Sequence, residues 1–164
     1  MTAVRVIGVD PGPTTGMVLL RFNDGPFGIS HVVQCNHGVA PALFEALLRI
    51  DPTTPTIVGI ERFVIGRKSM RSGRHGEVTR DLIGSMREIW DEHDSTKDGR
   101  LGGRWFVRAA VQVKAWATDE RLDAIGLLDS TKGMGHARDG ARHALFAAVH
   151  DGKIPDPLSK RART

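Results

Sequence analysis

The chain has 164 residues, enough for one domain with a sizeable core and too few for two ordinary ones. It is 40% hydrophobic and 26% charged, with 19 Gly and 8 Pro in no repeating pattern, a globular composition that excludes collagen-like, low-complexity and largely disordered classes. Lys and Arg exceed Asp and Glu by 23 to 19, a net charge of +4, while the single cysteine, Cys35, excludes an intramolecular disulfide and a thiolate-rich metal site.

Residues 4–10 (VRVIGVD) form a strand-like run that ends at Asp-Pro-Gly. Strands are expected again at 15–21 and 29–34, joined by turn residues, so the chain should open with an antiparallel meander. Pro41 suits a first helical turn, and Leu43, Phe44, Leu47 and Leu48 recur at helical spacing before Asp51-Pro52 stops the pattern. A fourth strand is expected at 56–61 (TIVGIE). Between Glu61 and Glu77 lie Arg62, Arg67, Lys68, Arg71 and Arg74 with no acid among them. Such clustering suits a polyanionic partner, nucleic acid first, although a solvated basic loop has the same look.

Leu82, Ile83, Met86, Ile89 and Trp90 then mark one face of a helix over about 77–93, with Gly84 inside it. That stripe suits packing on a sheet or a dimer seam. A fifth strand is expected at 104–111, a short helix after Thr118, and a last helix over about 136–150 with Ala141, Ala144, Leu145, Ala148 and Val149 inward. The order is that of an α/β domain over residues 1–151, a mixed five-stranded sheet with its three antiparallel strands first and helices on its faces. Residues 152–164 read as a basic, flexible tail carrying Lys160, Arg161 and Arg163. No apolar run approaches a membrane span, and a strand so near the N-terminus leaves no room for a signal peptide, so a soluble, cytoplasmic protein is expected.

Asp10 and Glu61 each close a strand, at the carboxyl edge where open α/β sheets bind ligands. His136, Asp139 and His143 follow i, i+3, i+7 spacing and share a helix face. If that face meets the strand ends, the result is an oxygen-rich cluster with imidazole, suited to Mg²⁺ or Mn²⁺. Taken singly, Asp10 also reads as a turn former, Glu61 as an exposed strand end, and His136 with Asp139 as a pair at a helix N-terminus. His143 suits a supporting or merely exposed position better than a ligand.

Three segments carry a family resemblance. VIGVDPGPTTG resembles the opening strand of RuvC-type Holliday-junction resolvases, VGIERF resembles their strand closing on Glu, and HARDGARHALFAAV resembles their last helix. VQVK is similar to a Val-Lys segment after the fifth strand, and the whole looks like the small resolvases of actinobacterial phages. The resemblance spans about residues 4–150 and implies the RNase H-like fold, with metal ligands at Asp10, Glu61, His136 and Asp139. Many members have Asp-x-x-Asp in the last helix where this chain has His136-x-x-Asp139; a shifted register would pair Asp139 with Arg142, which cannot bind a cation.

The resemblance further implies two Mg²⁺ or Mn²⁺ ions, hydrolysis leaving 5′-phosphate and 3′-hydroxyl ends, and branched DNA, in particular the four-way junction, as substrate; because that junction is twofold symmetric and must be cut on two strands, a homodimer is expected, with helix 77–93 as the candidate seam. Phosphate contacts are expected from Arg62, Arg67, Lys68, Arg71 and Arg74 and stacking from Phe63, which also reads as an ordinary core aromatic; Lys114 is placed to neutralise transition-state charge but reads more readily as a solvated surface lysine. Other substrates remain open, among them flaps and RNA-DNA hybrids, as does a catalytically silent DNA-binding domain. A different class is also open: Asp10-Pro-Gly12-Pro-Thr14-Thr-Gly16 fits the Asp-x-Gly-x-Thr-x-Gly phosphate loop of actin-like ATPases and sugar kinases, though those enclose ATP between two such domains.

Overall fold

A computed structural model describes residues 3–23, 27–63, 73–95 and 103–159, with only the backbone described at 73–75 and 94–95. The strands are β1 (Val4–Asp10), β2 (Thr14–Phe22), β3 (Gly28–Asn36), β4 (Thr56–Glu61) and β5 (Arg104–Arg108). The helices are α1 (Ala40–Arg49), α2 (Gly73–Ser95), α3 (Ala110–Trp116), α4 (Asp119–Asp123), α5 (Leu127–Ser130) and α6 (Gly135–Phe146), the last running into a π-helical turn over Ala147–Asp151. The sheet order is β3-β2-β1-β4-β5; β1, β2 and β3 pair antiparallel, and β4 pairs parallel to both β1 and β5.

The central strands are apolar on both faces because both faces are covered. Val6, Val18, Leu20 and Ile57 point into one core with Leu122, Leu127, Ala137, Ala141 and Ala144. Ile7, Val9, Met17, Leu19, Val58 and Ile60 point into another with Phe44, Leu48, Leu82, Met86 and Trp90. The molecule is therefore a three-layer sandwich, with α4, α5 and α6 on one face and α1 and α2 on the other. Arg5, 1% exposed, joins α1 to the sheet: its guanidinium donates to Leu47 O at 3.3 Å, Leu48 O at 3.1 Å and Thr56 Oγ1 at 2.7 Å, satisfying carbonyls at the end of α1.

The expected meander, both parallel additions and the long α2 are present. The fifth strand is shorter than expected, ending at Arg108 instead of 111. Residues 110–116 turn into α3, with Val113 inward and Val111 79% exposed. The β-branched alternation of Val111 and Val113 reads as strand, but among the described residues β4 ends at Glu61, opposite Arg108, and offers nothing further to pair with. Helix α5 was not expected, and α2 begins at Gly73, ahead of 77. Among the described residues no helix is long and apolar enough to cross a membrane.

Candidate active site

Two neighbouring parallel strands place the carboxylates. Val9 of β1 lies beside Ile60 of β4, so Asp10 and Glu61, one residue further on, emerge side by side at the carboxyl edge. The chain leaves Asp10 through a turn held by Thr15, whose hydroxyl donates to Gly12 O at 2.8 Å.

Helix α6 comes to these strand ends at unusually short range. At Gly16, which faces Asp10 across the β1-β2 pair, an added Cβ would lie 1.9 Å from the carbonyl carbon of His136, so the first turn of α6 rests directly on the β2 backbone. Gln34 of β3 completes the seating by accepting a hydrogen bond from His136 N at 3.0 Å. These contacts aim His136 at the strand ends, where its Nδ1 hydrogen-bonds Asp10 Oδ2 at 2.8 Å. Two turns along the same helix His143 is buried, with Nε2 3.7 Å from Glu61 Oε2. Of the two readings open for His143, the exposed one is therefore excluded.

Asp139 is differently engaged. It accepts from Lys114 Nζ of α3 at 2.7 Å and pairs with Arg142, one turn along α6. Arg142 in turn binds Asp119 and donates to Ala117 O at 3.0 Å, tying the α3-α4 corner to α6. Among the described residues no three His, Cys, Asp or Glu side chains converge tightly enough to enclose an ion. The structure instead forms two acid-imidazole pairs on neighbouring strand ends, Asp10 with His136 and Glu61 with His143, and holds Asp139 in ion pairs with Lys114 and Arg142.

Electrostatics set the two carboxylates apart. Burial first, and then the Glu61 carboxylate, push the Asp10 pKa up to about 7, against the pull of His136. Glu61 is held below the usual carboxylate range; burial opposes this, but His143, Asp10 and Lys114 together outweigh it. Burial and the neighbouring Glu61 thus disfavour the ionised form of Asp10, which marks a position where positive charge is undersupplied. Carboxylate oxygens with imidazole nitrogen are donors that suit Mg²⁺ or Mn²⁺, and binding of a cation is the chemistry they fit.

Of the expected DNA contacts, Arg62 is exposed and Phe63 half-buried, its ring lying 3.0 Å from where a Cβ on Gly76 would stand. Arg67, Lys68 and Arg71 lie outside the described residues, as does the side chain of Arg74. Two residues of the site are not read from the sequence, Gln34 and Asp119, nor is the anchoring of Arg142 by Asp119 and Ala117. The i, i+3 spacing of Asp139 and Arg142 was a usable signal, whereas nothing local distinguishes Gln34.

No protein-family model matches the chain, and a comparison with curated proteins gave no match either. Among solved structures it is similar to T. thermophilus RuvC in complex with Holliday junction substrate, with a TM-score of 0.66, 16% identity, and coverage of 93% of this chain and 96% of that one. At that identity the likeness establishes the fold, a five-stranded mixed sheet of the RNase H-like type with flanking helices.

Proposed function

We propose that the chain is a divalent-metal-dependent endonuclease that cuts four-way DNA junctions. The observation that carries this reading is the Asp10-Glu61 pair: two carboxylates on adjacent parallel strand ends, with the imidazole of His136 bonded to Asp10. The solved structure it resembles holds a Holliday junction substrate, which supports the choice of DNA.

Asp10, Glu61 and His136 would hold the metal, with Asp139 as a further ligand on exchanging Lys114 and Arg142 for the ion. A pair of Mg²⁺ or Mn²⁺ ions bound there would supply an activated water and stabilise the leaving 3′ oxygen, giving 5′-phosphate and 3′-hydroxyl ends. The protein's own groups do the rest. Lys114, half-exposed beside Asp139, places an ammonium where phosphate charge builds up. Arg62, with Arg67, Lys68, Arg71 and Arg74, follows the DNA backbone, a contribution read by a flatter salt dependence of binding in an Arg67→Ala, Lys68→Ala double variant. Phe63 stacks on bases exposed near the crossover.

A twofold substrate calls for two copies, and α2 is the proposed seam. Gly84 lies exposed in the middle of that helix, and among the described residues an added Cβ would meet nothing within 4 Å, so no contact among them accounts for a residue that costs a helix about 1 kcal/mol. The test of the site is Glu61→Gln. It removes an anion while keeping shape and the basic surface, so cleavage should vanish and junction binding survive; substantial residual cleavage would remove Glu61 from the metal site.

A further inference from the structure

His143 stands beneath the proposed ion site with a polar atom unaccounted for. Its side chain is 2% exposed and its Nε2 has no hydrogen-bond partner among the described residues. The atom that faces Nε2 is Glu61 Oε2, at 3.7 Å, slightly too far for a hydrogen bond and near enough to become one by a small movement. A buried polar atom left in that state is destabilising, so a core histidine with no role is a poor account of it.

The geometry also says which partner moves. His143 is fixed from below, because its backbone is set down on Gly59 of β4, where an added Cβ would come within 2.5 Å of His143 O. Glu61 lies two residues further along the same strand, and its side chain is 28% exposed, so its carboxylate has room to turn. A parallel stands beside it: His136, two turns earlier on α6, is already bonded to the other strand-end carboxylate, Asp10. One helix therefore presents one imidazole to each of the two acids.

We propose that His143 is a positioning residue for Glu61, donating its Nε2 proton to Oε2 from the buried side and so fixing the orientation in which the carboxylate meets the metal. The proposal rests on the metal site of the preceding section. Residues that hydrogen-bond a metal ligand set metal affinity without touching the ion, and their removal commonly weakens binding by about 10- to 100-fold.

The experiment titrates Mn²⁺ into the wild-type chain and into His143→Phe and His143→Gln by calorimetry, alongside junction cleavage at rising Mn²⁺. Phe fills the ring volume without a donor, and Gln restores an N–H of similar reach. Phe should weaken Mn²⁺ binding by about 10-fold or more, with cleavage largely recovered at saturating Mn²⁺, and Gln should regain most of the affinity. Wild-type affinity in the Phe variant, or a Gln variant no better than Phe, overturns the proposal. Imidazole ¹⁵N shifts of the unaltered protein test it without any variant: the Nε2–H tautomer is expected for His143, and Nδ1–H overturns it. A wild-type chain that binds no Mn²⁺ overturns the metal site and this proposal together, whereas Mn²⁺ binding without junction cleavage refutes the assigned activity and leaves the role of His143 standing.

Discussion

Replacing Asp10 with Asn should stabilise the protein while destroying its activity. Burial and the adjacent Glu61 carboxylate move the Asp10 pKa from 3.8 to about 7. The folded carboxyl thus holds its proton more tightly than the unfolded one. Its contribution to stability is complete below about pH 4 and is lost as pH rises through about 7. Each pH unit of that window is about 1.4 kcal/mol, so an ionised Asp10 at pH 8 costs the metal-free fold up to about 4 kcal/mol. Glu61, held low, works in the opposite sense and loses its contribution only as pH falls below the usual carboxylate range. Asn carries no charge but pairs less well with His136, a deduction of about 1 kcal/mol. A net gain of about 2 to 3 kcal/mol remains, or roughly 5 to 10 °C in melting temperature at pH 8 in EDTA, shrinking towards zero at pH 5. Melting curves at both pH values, with EDTA and with Mn²⁺, read all of this; Mn²⁺ should raise the wild-type midpoint and leave the Asn variant nearly unmoved. An Asp10→Asn protein that melts below wild type at pH 8 in EDTA would refute the reasoning, as would a wild-type midpoint that does not fall between pH 5 and pH 8.

Two other substitutions probe different parts of the account. His136→Asp should keep activity in Mg²⁺, since a carboxylate is a better ligand for that ion, whereas His136→Ala should lose most of it; harmless Ala would remove His136 from the ligand set. Gly16→Ala places a Cβ 1.9 Å from the carbonyl carbon of His136 and must lift α6 off β2, so it should lower stability by about 1 to 3 kcal/mol and abolish cleavage, while an unchanged melting curve would mean that α6 does not rest on Gly16.

The sheet was legible in the sequence because its signals are local: aliphatic runs that end at Asp-Pro-Gly, at Asn-Asp-Gly-Pro and at Glu61 define strands whatever lies beside them. The side-by-side placement of Asp10 and Glu61 followed from both closing such runs. What could not be read locally depends on partners far away in sequence. Residues 110–116 carry strand-like β-branching yet become a helix, which starts just past the end of the edge strand β5 and buries Val113. The company kept by Asp139 depends on Lys114 and on Arg142, itself anchored by Ala117 and Asp119, and only folding brings α3 and α4 to α6. His143 reads as a supporting or exposed residue until the closeness of α6 to Gly59 shows it buried.

The central claim is best tested with labelled four-way junction and linear duplex of the same sequence, each incubated with the purified chain in Mg²⁺, in Mn²⁺ and in EDTA. The junction should be cut on two opposed strands in either metal, with 5′-phosphates that a ligase reseals, while the duplex and the EDTA lanes stay intact. Cleavage in EDTA, equal cutting of linear duplex, or an intact junction in both metals would contradict it.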